Sequence, residues 1–142
     1  MFVKEIMTGA VASVLPDASL KAVGKILKEK RISGLPVVDK DFNILGIVTL
    51  TDMLKILDQI YRERVEKKER PGSKLIEMYA EEKLNAKVSD IMTKNVFTLE
   101  ENNTMEDVMG LMFTKGVHTI PIVKNGKVIG IIGKRDLVDT CF

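Results

Sequence analysis

The chain repeats itself. Val3-Lys4-Glu5-Ile6-Met7-Thr8 returns 85 residues later as Val88-Ser89-Asp90-Ile91-Met92-Thr93. The same shift carries Val23 to Val108, Lys30 to Lys115, Pro36 to Pro121 and Val38 to Val123. The polar turn that follows is one residue shorter in the second copy. A shift of 84 then carries Gly46, Ile47 and Asp52 to Gly130, Ile131 and Asp136. An ordered repeat with a single slip makes each copy one supersecondary unit, too small to bury its apolar face alone. The two copies are therefore expected to pack face to face.

Each copy reads as β-α-β-β-α. A short apolar segment, Val11–Leu15 or Val96–Leu99, is expected as a small strand. A helix follows, with apolar residues at helical spacing: Leu20, Val23, Ile26 and Leu27 in one copy, Met105, Val108, Leu111 and Met112 in the other. Thr104 with Asp107 forms a capping box, of which Ser19 and Ala22 keep half. Leu35-Pro36-Val37-Val38 and Ile120-Pro121-Ile122-Val123 are short buried strands. Polar turns, Asp39–Asn43 and the hairpin signal Asn125-Gly126, lead to return strands Ile44–Val48 and Val128–Ile132. A last helix starts near Asp52 or Asp136.

The boundaries on this reading are 1–57 for the first repeat, 58–86 for a helical insert and 87–142 for the second repeat, together one intertwined module. In the insert, Leu54, Leu57, Tyr61 and Val65 continue the helical spacing. Asp58 with Arg62 and Glu63 with Lys67 form acid-first i,i+4 pairs. Pro71-Gly72 breaks this helix, and Ser73 caps another that carries Leu75, Ile76 and Tyr79.

Several functions lack the residues they need. His118 is the only histidine and Cys141 the only cysteine, so no cluster has metal-ligand spacing, no disulfide closes within the chain and no nucleophile–base pair is visible. Neither a paired-glycine dinucleotide fingerprint nor a Walker loop is present. A net charge of +2 gives no basic face for nucleic acid, since the charges of Arg62–Arg70 alternate with Glu63, Glu66 and Glu69. No apolar run approaches the roughly 20 residues of a membrane span, and the N-terminus lacks a signal-peptide pattern. The expected location is cytoplasmic.

The Ile-Met-Thr that opens each copy, the Pro-Val/Ile-Val strand in register and the closing Gly-x-x-x-x-x-Asp resemble a tandem pair of cystathionine β-synthase (CBS) domains. The resemblance covers Phe2–Leu57 and Ala86–Cys141. It implies an α+β fold with two pseudo-symmetric repeats packed sheet to sheet. It also implies a non-catalytic sensor with two clefts for adenosine compounds: AMP, ADP, ATP or S-adenosylmethionine. A disc-like homodimer follows from the same resemblance, with an enzyme or transporter as a further partner. The alternative is a dimerisation or interaction module that binds no nucleotide.

By the resemblance, Asp52 with Thr49 and the adjacent Thr51 accepts ribose hydroxyls in one cleft, and Thr93, Asn95, Val96, Val117 and His118 of the other copy line it. In the second cleft Asp136 takes the ribose. Arg135 and Lys134 stand beside it, and Thr8, Ala10, Val11, Ile32, Ser33 and Gly34 of the first copy line it. The strand residues Pro36, Thr119 and Pro121 complete the set. Two departures stand out. Gly133 replaces the threonine, removing a hydroxyl, and Thr119 stands where an arginine often follows His118. The first cleft is thus expected to keep the fuller ribose set, while the second relies on Arg135 and the Ile32–Gly34 backbone. Each acid is equally a helix cap, and both roles can coexist. His118 reads either as a phosphate contact or as a strand-end histidine.

Overall fold

The computed structural model describes residues 1–9, 12–66 and 80–142. The expectations at Ala10, Val11 and Lys67, at Pro71-Gly72 and Ser73, for the helix through Leu75, Ile76 and Tyr79, and for the side chain of Val65 lie outside the described residues. The first repeat contains α1 (Val3–Ile6), α2 (Leu20–Lys30), β1 (Gly34–Val38), β2 (Ile44–Thr49) and α3 (Leu50–Glu66). A helical segment over 80–84, α4, precedes a 3-10 turn at Val88–Asp90. Then come α5 (Met105–Lys115), β3 (Thr119–Lys124), β4 (Lys127–Gly133) and α6 (Lys134–Cys141).

Local chemistry sets the element ends. Ser19 Oγ accepts the Ala22 N–H at 3.0 Å and starts α2. At α5 the Thr104 N–H donates to Asp107 Oδ2 at 2.8 Å, and the Asp107 N–H returns to Thr104 Oγ1 at 3.4 Å. Both helices end on a left-handed residue, Gly116 at φ 68° and Arg31 at φ 53°. Glycine adopts this conformation freely, whereas arginine there costs about 1 kcal/mol. The hairpin β3–β4 turns on Asn125 and Gly126, both at positive φ. In β1–β2 the turn is held by Asp39, whose Oδ1 accepts the N–H groups of Asp41 and Asn43. The side chain of Asn43, bonded to the same carboxylate, is the main cause holding the Asp39 pKa below its ordinary value.

One expectation is corrected. Among the described residues the first strands shrink to single parallel bridges, Val14 on Val37 and Leu99 on Ile122, because each segment lies at a sheet margin and pairs there through two backbone hydrogen bonds. The last helices begin two residues before the acids, at Leu50 and Lys134, since each acid caps from the third helical position.

Each repeat builds one antiparallel hairpin sheet with a bulge at the same place, after Val37 or Ile122. The opening segments are exchanged. Thr8 bridges Ile131 on β4, and Thr93 bridges Ile47 on β2. Val3 and Ile6 of α1 therefore sit in the core of the second repeat, with Val108, Met112, Ile120, Ile122 and Ile132. Val88 sits in the first core, with Leu20, Val23, Leu35, Val37, Val48 and Ile56. The glycines of the repeat make room for this exchange. A Cβ on Gly46 would lie 2.6 Å from Met92 Sδ and 2.9 Å from the Thr93 carbonyl oxygen. On Gly130 it would lie 2.6 Å from Met7 Sδ and 3.2 Å from the Thr8 carbonyl oxygen.

Candidate functional site: a cleft between the repeats

Where β1 and β3 start, they meet. A Cβ on Gly34 would lie 3.0 Å from the Thr119 side chain, and Ser33 Oγ is 2.9 Å from Thr119 Oγ1. Beside this contact opens a cleft of about 720 Å³. Its first wall comes from the first repeat: Lys30 and Arg31 at the end of α2, then Ile32, Ser33 and Gly34 leading into β1, with Thr8 and Ala12. Its second wall is Thr119, Ile131 and Gly133, continuing into Lys134, Arg135 and Asp136 on the first turn of α6. The volume suits a small organic ligand, and most such sites lie where two units meet.

Asp136 is held on both oxygens. The Gly133 N–H donates to Oδ2 at 2.7 Å, and Thr8 Oγ1 donates to Oδ1 at 3.2 Å. The hydroxyl that Gly133 cannot supply thus comes from the opposite repeat. In the sister position Thr49 supplies both bonds itself, its N–H at 2.8 Å and its hydroxyl at 3.1 Å from Asp52 Oδ2. Each acid is a half-buried helix cap that keeps acceptor capacity beyond these bonds.

Of the residues expected at the two clefts, the cavity gathers Thr8, Ile32, Ser33, Gly34, Thr119, Gly133, Arg135 and Asp136. Thr49, Thr51, Asp52, Thr93, Asn95, Val96, Val117 and His118 do not line it. Thr93 is nevertheless carried to the Asp52 side, pairing with Ile47 through two 2.9 Å backbone hydrogen bonds. His118 and Asn95 are exposed, while Val96 and Val117 are half-buried. Pro36 and Pro121 are buried inside β1 and β3, opposite Ile47 and Ile131. Lys30, Arg31, Ala12 and Ile131 also line the cavity, and sequence reasoning missed them there. The available signal was Arg31 standing where the second copy has Gly116, a basic residue kept at a helix end that favours glycine.

Comparison with known proteins places the chain in a family. The model of the CBS domain matches residues 3–59 and 88–141, so the chain belongs to the CBS domain family, as a tandem pair. An uncharacterized protein of Methanocaldococcus jannaschii is 30% identical over 98% of this chain and 90% of its own length. The crystal structure of a CBS-domain containing protein from Agrobacterium tumefaciens superposes with a TM-score of 0.78 at 28% identity, covering 100% of both chains. A CBS domain pair solved with 5′-methylthioadenosine and S-adenosyl-L-methionine superposes with a TM-score of 0.76 at 25% identity, over 99% of this chain and 98% of that one. The fold is the α+β CBS fold, and a CBS domain pair is a regulatory, non-catalytic module. Among the described residues, no helix is long and apolar enough to cross a membrane.

Proposed function

We propose that the chain is a sensor that takes an adenosine-containing ligand into the Asp136 cleft. One observation carries the reading: a carboxylate in the wall of a roughly 720 Å³ cleft, oriented by Gly133 from its own repeat and Thr8 from the other. A ribose offers two vicinal hydroxyls, which a carboxylate accepts together. The base then lies against Ile32 and the backbone of Ser33-Gly34. The neighbour solved with two adenosine compounds supports this ligand class. Because both repeats form the walls, a bound ligand favours the arrangement that closes them, and a partner preferring that arrangement has its affinity changed by the same factor.

The partner we propose first is a second copy of the chain. α3 buries Ile56 and Ile60 on one side and exposes Leu50, Leu54, Leu57 and Tyr61 on the other, at 54%, 64%, 57% and 56% exposure. These four recur at alternating steps of four and three, the spacing of a helix–helix seam. Leu54→Glu is expected to turn a dimer into a monomer in sedimentation equilibrium. A wild-type monomer at high micromolar concentration counts against the dimer.

The ligand reading is tested by calorimetry and thermal shift with AMP, ADP, ATP and S-adenosylmethionine. Binding is expected, with Asp136→Ala weakening it about tenfold or more, the worth of a charge-assisted hydrogen bond. A protein that shows neither heat nor thermal shift at millimolar ligand is instead a ligand-free interaction module.

A further inference from the structure

The Asp136 cleft carries a charge that its sister position lacks. Lys30 and Arg31 line it at the end of α2, and Lys134 and Arg135 line it on the first turn of α6. Among the described residues Asp136 is the only acid in the lining. Arg135 is braced by Asp139 at 3.4 Å, and among the described residues Lys30, Arg31 and Lys134 have no carboxylate within ion-pair distance. The repeat allows a direct control inside the molecule. At the four corresponding positions of the other copy stand Lys115, Gly116, Leu50 and Thr51, a single cation.

Arg31 adds an independent observation. It holds φ 53° at the cap where the sister helix has Gly116 at φ 68°. A left-handed arginine at a helix end is conformationally unfavourable and is not needed for the cap, which glycine makes better. Strain kept at the wall of a cavity points to use of the side chain there.

We infer that the Asp136 cleft selects a nucleoside polyphosphate, with the Lys30–Arg31 and Lys134–Arg135 pairs taking the phosphates while Asp136 holds the ribose. The inference rests on the adenosine reading above and adds the ligand's charge to it. Neutral 5′-methylthioadenosine gains nothing from the charge of this lining, and S-adenosylmethionine, whose sulfonium leaves it net positive, is disfavoured by it.

The test is a calorimetric series of adenosine, AMP, ADP, ATP and S-adenosylmethionine without divalent cation, at two salt concentrations. Affinity is expected to rise about threefold or more with each phosphate, as partly exposed ion pairs allow, and the slope to shrink at high salt. Arg31→Gly keeps the helix cap and is expected to fold at least as stably as the wild type. It should lower the ATP-to-AMP affinity ratio about threefold, and adding Lys30→Ala should lower it further, leaving the part that Lys134 and Arg135 supply. Lys25→Ala, one turn earlier on the same helix and paired with Glu29, removes equal charge and should leave the ratio as it was. The inference falls if AMP and ATP bind within twofold of each other, if S-adenosylmethionine binds tightest, or if the ATP-to-AMP ratio is unchanged in the variant lacking both Lys30 and Arg31. In these cases the adenosine reading stands. If no member of the series binds, both fall.

Discussion

Thr8 and Gly133 divide between two repeats what Thr49 does alone. The Asp52 cap is closed by a backbone N–H and a hydroxyl of the same residue, so it forms within one repeat. The Asp136 cap takes its hydroxyl from the exchanged opening segment of the first repeat, so it is complete only when that segment is docked on β4. Restoring the local hydroxyl should uncouple the two. A Cβ on Gly133 meets nothing closer than 3.7 Å, and its φ of −114° suits any residue, so Gly133→Thr is expected to fold normally. The new hydroxyl competes with Thr8 for Asp136. Thr8→Ala should then cost less in the Gly133→Thr background than in the wild type, by roughly 0.5–1 kcal/mol, the net worth of one hydrogen bond. A double-mutant cycle in urea measures this, and strict additivity would show that the Thr8 bond contributes nothing.

At the scale of the elements, what was legible in the sequence is what closes within a few residues. The Ser19 and Thr104 caps, the Asn125-Gly126 hairpin and the Asp58–Arg62 pair all form where local spacing puts them. Among the described residues the segments at Val14 and Leu99 each pair at a single bridge, which an apolar run does not reveal. The Asp107 cap also makes a pH prediction. Its carboxyl is lowered mainly by the Thr104 N–H and then by the Asn103 side chain, so the native state favours the charged form. That contribution is complete above the ordinary aspartate range and is lost as pH falls through it. Between pH 5 and pH 3, Asp107→Asn is expected to lose less Tm than the wild type; equal losses would remove the cap from the acid response. The interlocking glycines act between elements. Gly46→Ala meets both a thioether and the Thr93 backbone, whereas Gly130→Ala meets chiefly the flexible Met7 side chain. Both overpack an interior. The first should cost about 2–3 kcal/mol and the second about 1–2 kcal/mol, with the order readable from urea midpoints at unchanged slope.

The exchange of α1 and the 3-10 turn between the cores decides how the whole molecule behaves. The repeat predicted two copies packed together, and Ile-Met-Thr and Gly-apolar-apolar showed in the sequence as separate motifs. Their physical link, a methionine lying over a glycine of the other repeat, is non-local and absent from either motif. The same limit hid Lys30 and Arg31: their place in the cleft depends on where α2 ends relative to α6, more than 100 residues on. Each core is thus incomplete without a segment of the opposite half. Ile6 is 5% exposed and belongs by sequence to the first copy, yet it packs on Val108, Ile120 and Ile132 of the second. Truncating it to alanine removes three carbons from a filled core and is expected to cost about 2–4 kcal/mol. If the halves fold as one unit, amides of β1–β2 and of β3–β4 lose hydrogen-exchange protection by the same free energy in Ile6→Ala, and urea unfolding stays a single transition. Loss confined to β3–β4, or a second transition, would mean that α1 docks on a repeat already folded without it. The distinction bears on sensing, because a ligand between two independently folded halves could change their spacing, whereas in one cooperative unit it draws on the stability of both.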